Sequence, residues 1–353
     1  MQSAGRIGFG VKTRVAKLVS TGRMELSEEA IASPLRDSTC LIKMEAVGIC
    51  GSDLHYYLHG GLGSFKQKMP MEMGHEPAGI VVESKSKKFK EGDRVAVEPG
   101  LSCGNKCKCC EKGRHNLCFN VKFMGATDLG AFRDYAVVSE RQLEKIPDGM
   151  SFEEASLMEP IGIAVHCMNR VNPQIGDSIT IFGAGMIGIS ALLVAKKIGI
   201  KKVIMVDPLA NRLEMAKKHG ASEVVTADEN CLNIIKDLTN NEGTNICIDA
   251  AGKAITINNC FSAASFGGKV AIMGIPAEDY VSLNPHKMRI KELDIINVRR
   301  NNLTLPRCVE MFAEDRSIVN LVTNNAELED IQSSFESCVE NPEAVLKHMI
   351  NFK

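Results

Sequence analysis

Three side chains of unlike chemistry stand at turn-like breaks that follow apolar runs: Cys50 in GICGSDLHYY, and His75 with Glu76 in GHEPAG. A thiolate, an imidazole and a carboxylate are all ligand types that Zn²⁺ accepts, and one Cys⁻ with one Glu⁻ neutralises the dication. Taken singly, Cys50 also reads as a buried structural thiol and His75 as a satisfied turn histidine. Sulfur is concentrated further on, in LSCGNKCKCCEKGRHNLC, which holds five of the chain's 13 cysteines. That density is the mark of a closed four-thiolate zinc site, best fitted by Cys103, Cys107, Cys110 and Cys118; a set of reactive thiols is the alternative. The other cysteines, such as Cys167, Cys247 and Cys308, are scattered singly in apolar surroundings, which argues for metal in a reducing compartment rather than for disulfides.

A different chemistry is written at Gly183-Ala184-Gly185-Met186-Ile187-Gly188, which follows the apolar run SITIF and opens the helical stretch ISALLVAKKIG. Strand, glycine turn and helix in that order make a dinucleotide fingerprint: Gly183 for the tight turn, Gly185 for approach of the pyrophosphate, Gly188 for close helix packing. The next apolar run ends in Asp207, where a ribose-binding acid belongs. A carboxylate there accepts both ribose hydroxyls of NAD and repels the 2′-phosphate of NADP, so NAD is the expected cofactor. Two features pull the other way, since Asp207 before Pro208 also suits a turn cap and Arg212 is near enough to admit some NADP.

These groups need rigid elements to hold them. TCLIKMEAV, AGIVVE, DRVAVEP and FRDYAVVS are short β-branched runs broken by Gly, Pro and Asp, and they predict a β-rich, barrel-like first part. Ser151 with Glu154 forms a capping box before a helix, and from about residue 178 the pattern becomes apolar strand, helix, apolar strand. SITIF, KVIMVD, NICIDA, KVAIMG and LDIINV suit a parallel sheet covered on both faces. The chain of 353 residues is therefore read as α/β overall. Residues 1–157 with 297–353 form the β-rich domain, the tail being too short for a core of its own, and 158–296 form a doubly wound cofactor domain. Because 42 Lys and Arg nearly cancel 43 Asp and Glu, no broad field draws the chain to nucleic acid or anionic lipid. No apolar run reaches the roughly 20 residues of a membrane span, and the beginning of the sequence lacks the pattern of a secretory signal, so a cytoplasmic location is expected.

GICGSDLH, GHEPAG, the cysteine loop, GAGMIG and VDP occur in the order and at about the separations of the zinc-containing medium-chain alcohol dehydrogenases, and over nearly its whole length the chain resembles that family. CGSDLHYYLHGGLGSF, MGHEPAG, SLMEPIGIAVH and NVRRNNLTLP resemble its sorbitol and xylitol dehydrogenase subgroup most. The resemblance implies a GroES-like zinc-binding domain joined to a Rossmann domain, with two zinc ions per chain, one catalytic and one structural, and pairing into a homodimer or homotetramer. Carried over, Cys50 and His75 bind the catalytic zinc, Ser52 and His55 relay a proton, and Glu76 or Glu159 completes the shell, with Glu76 taken as the direct ligand and Glu159 as a water-linked or exchanging partner. Tyr56, Phe65 and Arg300 are implied at the substrate, and Ile275, Val298 and Arg299 join the glycine turn at the cofactor. The family's usual loop has two residues between its first two cysteines. Here there are three, and Cys109 is extra, so Cys107 and Cys109 compete for one position.

Zinc of this kind keeps one position open and acidifies a hydroxyl placed there, after which carbon gives up hydride to the nicotinamide. A polyol presents further hydroxyls that want polar partners, which Tyr56, Glu159 and Arg300 offer, and Phe65 would add an apolar wall. Ordinary roles exist for each: Ser52 as a cap, His55, Tyr56 and Phe65 in packing, Arg300 at the cofactor. Arg299 beside Arg300 keeps a phosphorylated polyol in view, and threonine and butanediol dehydrogenases share the scaffold. Competing readings are a zinc-free quinone or enoyl reductase and a non-catalytic dinucleotide-binding redox sensor.

Overall fold

The computed structural model describes residues 12–31 and 35–353. The opening stretch MQSAGRIGFGV, part of the segment read above for a secretory signal, lies outside the described residues. Two compact units emerge, one made of Met1–Glu159 with Leu305–Lys353 and the other of Pro160–Thr304.

The first unit is built around the strand Thr39–Ile49, which is paired along both edges and whose side chains are mostly buried, with many of them in the unit's core. In the seven-stranded sheet the order runs Leu143–Lys145, Arg94–Val97, Glu76–Ser84, Thr39–Ile49, His348–Asn351, Asn324–Glu327, and Tyr135–Ser139 also pairs with Thr39–Ile49. The partners of the central strand are antiparallel, with Gly48 opposite Glu76 on one side and opposite Met349 on the other. The last strand of the chain thus inserts beside one of the first. Ile42, Met44, Val47, Met73, Val81, Phe132, Phe335 and Ile350 form its core. The capping box is present, with Ser151 N donating to Glu154 Oε2 at 2.7 Å and Glu154 N donating to Ser151 Oγ at 3.1 Å.

The second unit carries a six-stranded parallel sheet in the order Glu223–Thr226, Lys202–Asp207, Ser178–Phe182, Thr244–Asp249, Ala264–Ile272, Asp294–Asn297. This is the doubly wound order, in which neighbouring strands lead away from Ser178–Phe182 in opposite directions and leave a ligand crevice at their carboxyl ends. Helices such as Met186–Lys197 and Ala254–Ala263 cover it. Glu223–Thr226 was not among the strands read from the sequence: four residues with one buried side chain give too little apolar signal. The units divide after Glu159 and Thr304, against sequence boundaries after residues 157 and 296. Residues 297–304 stay with the parallel sheet because Val298 N donates to Ile272 O at 3.0 Å and Thr304 Oγ1 to Gly162 O at 2.9 Å.

Candidate metal and cofactor sites

Cys50 is delivered by the end of Thr39–Ile49 and serves as the N-cap of the helix Gly51–His59. Asp53 fixes that turn by accepting from Cys50 N at 3.0 Å. On the adjacent strand His75 immediately precedes Glu76, so the strand pairing that sets Gly48 opposite Glu76 also draws the three donors together. One ligand atom each from Cys50, His75 and Glu76 lies within 4.8 Å of the others. Fully buried Asp53 stands 3.4 Å from His75 Nδ1, the carboxylate and imidazole pairing that orients metal-binding histidines. Sequence reading passed over Asp53, although its place three residues after Cys50 was a visible capping signal.

Two further groups belong to this pocket. Glu159 is 3% exposed and among the described residues its Oε2 has no hydrogen-bond partner; burial, with Glu76 and Glu98 nearby and only partly offset by His75, pushes its carboxyl up to about 8. Lys347, 2% exposed, donates to both oxygens of Glu76 at 2.8 and 2.5 Å and to Ile49 O at 3.0 Å. Burial pulls its ammonium down, but the charges of Glu76 and Cys50 outweigh that and hold it above its ordinary range. Burial likewise opposes protonation of His75, while Asp53 and Cys50 raise it well above the usual histidine range. A soft thiolate, an imidazole and a carboxylate brought together, with the buried Glu159 carboxyl near His75 and Glu76, fit a divalent zinc ion.

The helix that begins after Cys50 carries Ser52, His55 and Tyr56. Ser52 and His55 are half-buried, and burial followed by the neighbouring His59 lowers the His55 pKa. Tyr56 is buried in the core cluster of the unit, whereas Phe65 is 60% exposed. Arg300 belongs to the other unit, is half-buried, and has a backbone φ of 55°; Arg299 beside it is exposed.

The cysteine loop closes on itself. Cys103 Sγ lies 3.7 Å from Cys110 Sγ and Cys107 Sγ lies 3.9 Å from Cys118 Sγ, with all four sulfurs inside 4.8 Å. A tetrahedron with Zn–S spokes of about 2.3 Å has edges of about 3.8 Å, so the cluster already has the dimensions of a zinc site. Cys109 is outside the group. It precedes Cys110 on the short helix Lys108–Glu111, and consecutive helical residues point about 100° apart. A backbone N–H from Cys110 holds the Cys107 thiol down at about 6, and burial pushes Cys110 up to about 12.

In the second unit the strand Ser178–Phe182 runs into Gly183 at φ 103° and Gly185 caps the helix Met186–Lys197. A Cβ on Gly188 would strike Gly183 O, so only glycine lets helix and turn meet here. Asp207, 3% exposed at the end of Lys202–Asp207, accepts from Ala184 N at 2.7 Å and from Leu209 N at 2.9 Å. The carboxylate thus ties the strand end to the glycine turn. The Arg212 guanidinium is 3.9 Å from where a Gly185 Cβ would stand. Ile275 is 53% exposed, and its backbone closes on Gly252; half-buried Val298 continues the sheet edge.

Residues 36–148 match the model of the alcohol dehydrogenase GroES-like domain, and residues 187–314 match that of the zinc-binding dehydrogenase domain. Sorbitol dehydrogenase of Bacillus subtilis is 37% identical over 334 residues, covering 92% of this chain and 94% of that protein. D-xylulose reductase A of Aspergillus oryzae is 33% identical over 312 residues, covering 85% and 87%. Among solved structures, an oxidoreductase of unknown specificity from Escherichia coli superposes with a TM-score of 0.91 at 33% identity, covering 97% of this chain and all of that one.

Proposed function

The chain belongs to the zinc-binding alcohol dehydrogenase family, and on that premise we propose that it oxidises a secondary hydroxyl of a polyol of the sorbitol or xylitol type to a ketone, with NAD as hydride acceptor. The observation that carries this is the donor set of half-buried Cys50 with buried His75 and Glu76, with Glu159 beside it and Ser52 and His55 on the helix that Cys50 caps. Zinc, when bound, supplies a Lewis acid that makes a hydroxyl acidic, and NAD supplies the acceptor for the hydride. The balance is one CH–OH and NAD⁺ converted to one C=O, NADH and a proton.

That proton must leave a dry pocket, and Ser52 handing it on to His55 is the route within the chain. His55, its pKa lowered by burial and the neighbouring His59, is neutral at physiological pH and so has a free ring-nitrogen lone pair for the proton. Tyr56, Glu159 and Arg300 are assigned to the hydroxyls that do not react, and Phe65 to the carbon chain. In the second unit Gly183, Gly185, Met186, Ile187 and Gly188 are assigned to the pyrophosphate and Asp207 to the ribose, with Arg212, Ile275, Val298 and Arg299 around them. The cysteine cluster takes the structural zinc. We assign the protein to the cytoplasm, where such a cluster keeps metal rather than forming disulfides, and to a homodimer or homotetramer. Self-assembly has support in the edge strand Asp294–Asn297, where Ile295 is 38% exposed, and in Ile290 at 60% on the preceding helix. A second reading, a phosphorylated polyol, has one observation in its favour: the adjacent Arg299 and Arg300.

Initial rates of NADH formation with sorbitol, xylitol, threonine, butanediol and a hexitol phosphate test the reading. Turnover with the free polyols, abolished by a chelator and restored by zinc, is the expected result. A wild-type preference for threonine or a hydrophobic alcohol would end the polyol assignment, and activity untouched by zinc removal would end the mechanism.

A further inference from the structure

Lys347 is 271 residues from Glu76 in sequence, yet both oxygens of that carboxylate accept from its ammonium, at 2.8 and 2.5 Å, and both side chains are almost wholly buried. The same ammonium donates to Ile49 O at 3.0 Å, the carbonyl just before Cys50. The pair has been given room. A Cβ on Gly48 would overlap Glu76 Oε2 and come within 3.2 Å of Lys347 Cδ. Ser156 fixes the backbone on both sides of that gap, accepting from Gly48 N at 3.1 Å and donating to Glu76 O at 2.6 Å. A buried carboxylate with no cation beside it is strongly unfavourable. Glu76 therefore needs a cation whether or not the metal is present, and Lys347 is in contact with it.

We infer that Lys347 is the resident counter-ion of Glu76: a positioning residue that holds the carboxylate aimed at the donor set before metal arrives, and that shares it with zinc afterwards. The inference rests on the assignment of Cys50, His75 and Glu76 to zinc. It has two consequences of opposite sign. Lys347 stabilises the metal-free protein, and it weakens zinc binding, because it competes for the carboxylate and repels the incoming dication. A lysine that merely filled space would change stability equally with and without zinc and leave zinc affinity unchanged.

The test is made on the full chain in zinc-loaded and metal-depleted forms, for the unmodified protein, Lys347→Met and Lys347→Arg. Zinc affinity is measured by competition with a chromogenic chelator and stability by thermal melting. In Lys347→Met the metal-depleted protein should melt about 6–20 °C lower, the loss expected when one partner of a buried pair is removed from a unit of this size. The zinc-loaded protein should lose less than half of that, so zinc should bind at least about tenfold tighter. Lys347→Arg, which keeps the charge, should stay within about threefold of the original affinity. Equal melting losses with and without zinc, at unchanged affinity, would make Lys347 a packing residue and overturn the inference. Should Lys347→Met not fold, Lys347→Gln is read by the same two criteria. Cys50→Ser separates the two layers: if it does not lower bound zinc by one ion, the site assignment itself has failed, whatever Lys347 does.

Discussion

Replacing Cys110 and Cys118 together with serine removes the two buried sulfurs of the cysteine cluster. A serine hydroxyl is neutral and shorter, so the remaining pair, Cys103 and Cys107, offers half a tetrahedron. Bound zinc should fall from two ions per chain to one. The stability loss follows from what the metal ties together: Cys103 and Cys118 enclose a segment of 16 residues, and losing a cross-link across a loop of about that length should lower the melting temperature of a unit this large by about 6–12 °C. Cys109→Ser is the internal control and should keep both ions, because Cys109 lies outside the sulfur group. Metal content by plasma emission on dialysed protein, with melting curves on the same samples, gives both readings. Retention of two ions in the double variant, or loss of one in Cys109→Ser, would refute the assignment.

Asp207→Ala should raise the Michaelis constant for NAD at least about tenfold and narrow the preference over NADP, measured as the ratio of kcat/KM values; equal or better turnover of the unmodified enzyme with NADP would refute the ribose role. Tyr56→Phe and Arg300→Ala should raise KM for sorbitol or xylitol far more than for a simple secondary alcohol, and equal losses on both would remove these residues from polyol recognition. In a zinc-loaded crystal structure a Glu76 oxygen should lie about 2.0–2.2 Å from the metal; direct contact by Glu159 with Glu76 beyond hydrogen-bond reach would reverse the two roles. His348, 5% exposed and among the described residues without a hydrogen bond on either ring nitrogen, has its pKa lowered by burial. The unfolded chain therefore takes up a proton that the folded chain resists, so the stability tied to neutral His348 is present above the ordinary histidine value and is lost as pH falls through the folded one. His348→Leu should flatten the acid limb of urea midpoints below about pH 6.5, and an unchanged limb would refute the account.

What was legible in the sequence is what neighbouring residues decide. The glycine turn needs a strand, six residues and a helix; the sulfur cluster closes within one loop; the box of Ser151 and Glu154 spans four positions. The choice between Cys107 and Cys109 was open because spacing only counts residues; in the structure Cys107, the extended N-cap of the helix Lys108–Glu111, joins the sulfur group, and Cys109 on that helix does not. Phe65 illustrates the converse, since an aromatic residue carries the same apolar signal whether its ring is packed or, as here, 60% exposed. Lys347 gave no signal at all, being one lysine among many in a region read only as a short tail.

Its role follows from topology. Once His348–Asn351 pairs antiparallel with Thr39–Ile49, His348 lies opposite Ile49, and Lys347, one residue earlier, reaches the level of Cys50. Glu76–Ser84 flanks the same central strand on its other edge, with Glu76 opposite Gly48. Gly48 has no side chain to separate the two edges, so the carboxylate from one and the ammonium from the other meet across it. Cys50, His75 and Glu76 are positioned by two strands from the first quarter of the chain, but the charge among them is balanced by the last strand. The segment that carries the last strand therefore reaches the Cys50, His75 and Glu76 group, and a chain cut before residue 347 would lose the Lys347–Glu76 ion pair as well as two of the sheet's strand pairings.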